Sequence, residues 1–133
     1  MKKTKKTGAD KKKILIIDEN DQDRKVITRI FKKQGHKNIT LAQTGKEGIL
    51  KAQFENPDLV VLCEQLSDMC SFDVCKQIKA IERTVAKIIM ITGDSCNLSA
   101  SEAREAGADD YIVKTSDLEH LIQAVNFIAK IKE

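Results

Sequence analysis

The chain has 133 residues, 41% of them hydrophobic and 4% aromatic, with a formal net charge of +3. That is the length of one domain with enough apolar side chains for a core, and no apolar run approaches the roughly 20 residues of a membrane span. The charge is uneven: residues 1–13 hold seven lysines and one acid, whereas the other 120 hold 16 bases and 19 acids.

Residues 1–12 therefore read as a basic, disordered tail ahead of a mildly acidic domain over 13–133. The tail has lysines but no apolar h-region of the length a signal needs, so it is not expected to be a secretory leader. A cytoplasmic chain is expected, with its four cysteines as thiols. The plain reading of the tail is a solvated leader; the sharper one is weak contact with nucleic acid, anionic lipid or an acidic partner. No aromatic residue interrupts it to stack on bases.

Ile14-Leu15-Ile16-Ile17 is an apolar β-branched run, the signature of a strand buried on both faces, and Asp18-Glu19-Asn20-Asp21 follows it. Val26, Ile27, Ile30 and Phe31 recur at helical spacing and Gly35 supplies a stop. Asn38–Ala42 is a short strand. Thr44 and Glu47 have the capping-box form, opening a helix with Ile49, Leu50 and Phe54 that must end before Pro57. Asp58–Cys63 is the third strand. Ser71 is placed to cap a helix carrying Val74, Ile78 and Ile81. Lys87–Thr92 is the fourth strand and Tyr111–Val113 the fifth. Ser99–Glu102 and Ser116–Glu119 are further capping boxes, the last opening a helix with Leu118, Leu121, Ile122, Val125 and Ile128 inward. Alternation of five strands with five helices predicts an α/β fold, with a five-stranded parallel sheet doubly wound into a three-layer (βα)5 sandwich.

In such sheets the chemistry lies past the carboxyl ends of the strands. Those ends carry Asp18 and Glu19, Cys63, and Thr92, with Lys114 after the fifth strand. Singly these are solvated loop residues as readily as a site; order and spacing together are far more specific. Ile14–Asn20, Pro57–Leu62, Ile89–Gly93 and Glu105–Lys114 closely resemble the receiver domain of bacterial two-component response regulators, a flavodoxin-like, chemotaxis-type fold. The resemblance runs from Lys13 to about Lys130.

The resemblance implies roles. Asp18 and Glu19 would hold Mg²⁺, with the backbone carbonyl of Gln65 as a further ligand. Thr92 would contact the phosphoryl group, Lys114 would pair with its oxygens, and Tyr111 would couple to Thr92. The chemistry needs a hard cation and an ammonium around an in-line carboxylate. That carboxylate is missing: Cys63 stands at the phosphoacceptor position. Glu64 is expected on the opposite face, because neighbouring strand residues alternate. A thiol is a poor Mg²⁺ ligand, so the cofactor expectation is none, or weakly bound Mg²⁺. Ser67 and Ser71 replace the family's usual proline and glycine, and Thr115 replaces the proline after Lys114; a trans bond is expected there.

The implied function is a pseudo-receiver: not an enzyme, but a protein-interaction module of phosphorelay signalling. Its partner would be a histidine kinase or downstream effector, met through the fourth helix, fifth strand and fifth helix (Arg104, Glu105, Asp109, Tyr111, Glu119, Gln123). The alternative is a switch at Cys63, by oxidation with Cys70 or Cys96 or as a phosphocysteine, beside a residual Mg²⁺-binding acidic pair. Beside two carboxylates the Cys63 thiol is expected to stay mostly neutral. Cys75 is expected to pack beside its helix, and His36 and His120 to lie on the surface. Ala124 lacks the arginine of the family's dimerising subgroup, so a monomer or weak dimer is expected. Sequence-specific DNA binding by this domain is not expected. A flavin enzyme finds no support in so few aromatics.

Overall fold

The computed structural model describes residues 12–92 and 100–113. Nine elements alternate: β1 (Lys13–Ile17), α1 (Asp21–Lys33), β2 (Asn38–Ala42), α2 (Gly45–Glu55), β3 (Leu59–Cys63), α3 (Ser71–Lys79), β4 (Lys87–Thr92), α4 (Ala100–Glu105) and β5 (Asp110–Val113). The strands form one parallel sheet, as the alternation predicted, and their order in it is β2-β1-β3-β4-β5. Residues 1–11 of the expected tail, residues 93–99 with Cys96 and Ser99, and everything from Lys114 onward lie outside the described residues.

Side-chain alternation gives the sheet two buried faces. Leu15, Ile17, Val60, Leu62, Ile88 and Met90 point to the side covered by α2, α3 and α4. Ile14, Ile16, Leu59, Val61, Ile89 and Ile91 point to the other, where Ile27 and Phe31 of α1 pack. The central strands read as continuous apolar runs because both faces are dry.

The helix ends follow their local chemistry. Asn20 caps α1 through its side chain. At the other end Gly35 takes φ +95, Gly35 N–H donates to the Lys32 carbonyl and His36 N–H to the Phe31 carbonyl, which is the Schellman arrangement. His36 consequently folds back, with its ring edge-on to Phe31 at 5.6 Å, and is buried, not on the surface as the sequence suggested. Thr44 caps α2 as predicted, but Glu47 reaches Gln43 N–H instead of closing the box on Thr44 itself. Asn56, in the left-handed region, ends α2 before Pro57. The start of α3 is one residue earlier than expected: Cys70 is the N-cap, with no side-chain cap bond, and Ser71 is already helical. Val26, Leu50 and Phe54 are exposed, Phe54 most of all, because each helix buries a narrower stripe than its apolar pattern suggested.

Gly48 lets α2 lie directly on β1. A Cβ there would sit 2.7 Å from Ile17 Cγ1. Cys75 is fully buried under α3, as expected, and burial pushes its thiol up to about 11.

Candidate functional site at the carboxyl end of the sheet

The carboxyl ends of β1, β3 and β4 enclose a cavity of about 260 Å³, bordered by Asp18, Glu19, Cys63, Gln65 and Thr92. Five of the predicted site residues are therefore brought together. Tyr111 does not border the cavity; it packs against the sheet face under α2, α3 and α4. Lys114 and Thr115 lie outside the described residues.

Asn20, Asp23 and Glu64 border the same cavity. The sequence reading excluded Glu64 by strand alternation, but β3 ends at Cys63 and the chain bends at the next residue. Glu64 N–H still donates to the Ile91 carbonyl at 2.8 Å, while its Oε1 is buried with no hydrogen-bond partner among the described residues. Thr92 Oγ1 is likewise buried and unpartnered there.

Both predicted acidic ligands accept hydrogen bonds from within the protein. Glu19 accepts from Ser67 N–H at 2.8 Å and from Ser67 Oγ–H at 3.0 Å, so both of its oxygens are engaged. Asp18, almost fully buried, accepts from Asn20 N–H at 2.9 Å. The Cys63 thiol points at the Gln65 carbonyl, Sγ to O 3.8 Å, a weak hydrogen bond. Among the described residues no three His, Cys, Asp or Glu side chains meet in metal-holding geometry.

Arg24 carries a signal that sequence reasoning missed. It lies one helical turn into α1, buried, with one guanidinium nitrogen on the Asp18 carbonyl oxygen and the other on Asp21 Oδ1, both at 2.7 Å. Its fork fixes the turn leading out of β1. An arginine three residues after an acid at a helix start was the available clue.

The loop after β3 is tied at two points. Ser67 holds Glu19, and Asp68 accepts from Gly45 N–H at 2.9 Å and Lys46 N–H at 3.0 Å, capping α2 from a distance. These amides hold the Asp68 carboxyl below its usual 3.8. A depressed acid stabilises the fold fully above its unfolded value and loses that contribution as pH falls through the folded value. Asp68→Asn should therefore be less stable than wild type near pH 7, and the gap should close as pH drops below about 4. Urea unfolding of both proteins across that range checks this; a gap independent of pH would show that charge at Asp68 is not what anchors the loop.

Cys63 is partly accessible, Cys70 exposed and Cys75 buried, and none of the three is in a disulfide. Cys70 borders a neighbouring cavity that shares Glu19, Glu64 and Gln65 with the first. On the proposed output face, Arg104 and Glu105 are exposed. Asp109 is occupied structurally: its Oδ2 accepts from Lys79 Nζ at 2.8 Å and Ile88 N–H at 2.9 Å. Glu119, Gln123 and Ala124 lie outside the described residues.

Residues 14–126 match the family model of the response regulator receiver domain. The chain is 31% identical over 114 residues to the chemotaxis protein CheY of Bacillus subtilis, spanning 86% of this chain and 94% of that protein. It is 33% identical over 103 residues to the alkaline phosphatase synthesis transcriptional regulatory protein PhoP of the same organism, but spans only 42% of that protein. Among solved structures, a two-component response regulator from Clostridium difficile superposes with a TM-score of 0.80 at 31% identity, covering 90% of this chain and 97% of that one. The response regulator TrrA of Thermotoga maritima, solved in complex with Mg²⁺-BeF, superposes at 0.77 with 27% identity, covering 88% and 98%.

Proposed function

The chain belongs to the response regulator receiver family, and from that premise we propose that it is a pseudo-receiver: a protein-interaction module of two-component signalling that is not phosphorylated at the acceptor position. The observation that carries this is Cys63 at the carboxyl end of β3, bordering the cavity with Asp18, Glu19 and Thr92 where a carboxylate would have to stand. The internal pairing of Glu19 with Ser67, and of the Cys63 thiol with the Gln65 carbonyl, supports it. Mg²⁺ binding is weak at most, because a cation must displace those contacts and finds no oxygen at Cys63. The domain is not an enzyme. It acts in the cytoplasm as a monomer or weak dimer, without reading DNA sequence itself, and meets a histidine kinase or effector through the face that includes α4 and β5. Among the described residues no helix is long and apolar enough to cross a membrane.

The second reading is a thiol switch. It is favoured by one observation: Cys63 and the exposed Cys70 border adjoining cavities with shared walls.

Intact-mass analysis after acetyl phosphate with Mg²⁺, after mild peroxide, and after buffer alone separates the two. The expected result is no phosphoryl adduct and no oxidation selective for Cys63. An adduct on Cys63 or Glu64 would overturn the pseudo-receiver reading. An oxygen or disulfide mass change mapping to Cys63 would establish the thiol switch in its place.

A further inference from the structure

A second concave surface lies apart from the strand ends. Between α1 and the edge strand β2 runs a groove of about 520 Å³ with Lys25, Arg29, Lys32 and Lys33 along its rim and Thr28 and Leu41 on its floor. Leu41 is 38% exposed although it projects on the face that α1 covers. Thr28 Oγ1 is buried without a hydrogen-bond partner among the described residues.

The rim charges are poorly compensated. Lys25 sits 3.4 Å from Asp21, both largely in solvent, whereas Arg29, Lys32 and Lys33 make no ion pair among the described residues. Because α1 runs back from the carboxyl ends of the strands, its basic half reaches the opposite pole, where Lys13 and Lys37 stand beside Asn38. The domain is thus acidic around the first cavity and basic along this flank.

We infer that the α1–β2 groove is a docking site for an acidic amphipathic helix of a partner protein, seated with an apolar side chain on Leu41 and its acids against Arg29, Lys32 and Lys33. Charge complementarity selects an anionic partner. The exposed Leu41 between the basic side chains selects one that also presents an apolar side chain over a bare phosphate backbone. Addition of a strand to the β2 edge is disfavoured, because Lys51 Nζ already occupies the Leu41 carbonyl at 2.5 Å. The groove contains no aromatic side chain on which bases stack. The 13 residues of α1 offer about 20 Å of length, roughly four turns of a partner.

The test uses the full-length chain and a synthetic helical peptide of roughly 20 residues, with leucine on one face and glutamate on its flanks. Amide shifts should concentrate at Thr28, Arg29 and Leu41. Arg29→Glu with Lys32→Glu should weaken binding at least tenfold, and Leu41→Ser several-fold. Neutralising the tail with Lys2, Lys3, Lys5 and Lys6→Gln should change it less than twofold. Thermal melts confirm that each variant folds, and Arg29→Gln with Lys32→Gln serves if charge reversal does not. The inference is overturned if the peptide does not bind, if a scrambled peptide of equal charge binds as well, or if binding follows the tail lysines instead. Tighter binding of duplex DNA or of anionic phosphatidylglycerol vesicles through the same residues would overturn it as well, by naming a different occupant.

Discussion

Cys63→Asp combined with Ser67→Pro is expected to bind Mg²⁺ at least tenfold more tightly than Cys63→Asp alone, and to be the variant that accepts a phosphoryl group from acetyl phosphate. The first substitution restores an oxygen ligand and removes the thiol facing the Gln65 carbonyl. It leaves Glu19 held by both Ser67 donors, at 2.8 and 3.0 Å. Hydrogen bonds to a charged group are worth about 1.5–3 kcal/mol when sheltered and less at an exposed site. Releasing two of them needs a net effect of only about 1.4 kcal/mol to reach tenfold. Proline removes both donors, since it has neither the hydroxyl nor an amide hydrogen. Ser67→Ala removes only the hydroxyl and should fall between. Calorimetric titration with Mg²⁺ and intact-mass analysis give the readouts. Equal Mg²⁺ affinity in the single and double variants would mean that the Ser67–Glu19 contact does not limit the site.

Arg24→Ala is expected to destabilise the fold by about 2–3 kcal/mol, the cost of leaving a buried carbonyl without its charged donor. The Asp18 carbonyl loses its 2.7 Å contact with the guanidinium. For a chain of this size that corresponds to a drop in Tm on the order of 10 °C. Arg24→Lys should recover less than half, because one ammonium cannot span Asp18 O and Asp21 Oδ1 as the planar fork does. Denaturant unfolding measures both. A loss under about 0.5 kcal/mol, the range of ordinary surface changes, would show that water takes over the carbonyl.

The sheet was legible because its strands obey one strong rule. Ile14–Ile17, Val60–Leu62 and Ile88–Ile91 are apolar on both faces, and only the interior of a doubly covered parallel sheet accepts such runs. Asp18, Cys63 and Thr92 could be placed together because they end neighbouring strands. What escaped depended on where alternation stops. Glu64 borders the cavity because it lies in the bend after β3, where period-two logic no longer holds. The capture of Glu19 by Ser67 joins residues 48 positions apart, and no local pattern announces it. His36 was misread although its signal was present: the residue after a left-handed glycine cap folds back onto the helix. Leu50 and Phe54 matched the helical period yet stay in solvent, since period reports a stripe and not its width.

Cys75 adds a property unrelated to signalling. Its sulfur lies beneath α3 against the sheet, fully covered, and its acidity is suppressed by that burial. A reagent in solution meets it only in molecules whose third helix has lifted away. The rate at which this one thiol is consumed is therefore a clock for the opening of the core, built into the chain at the junction of helix and sheet.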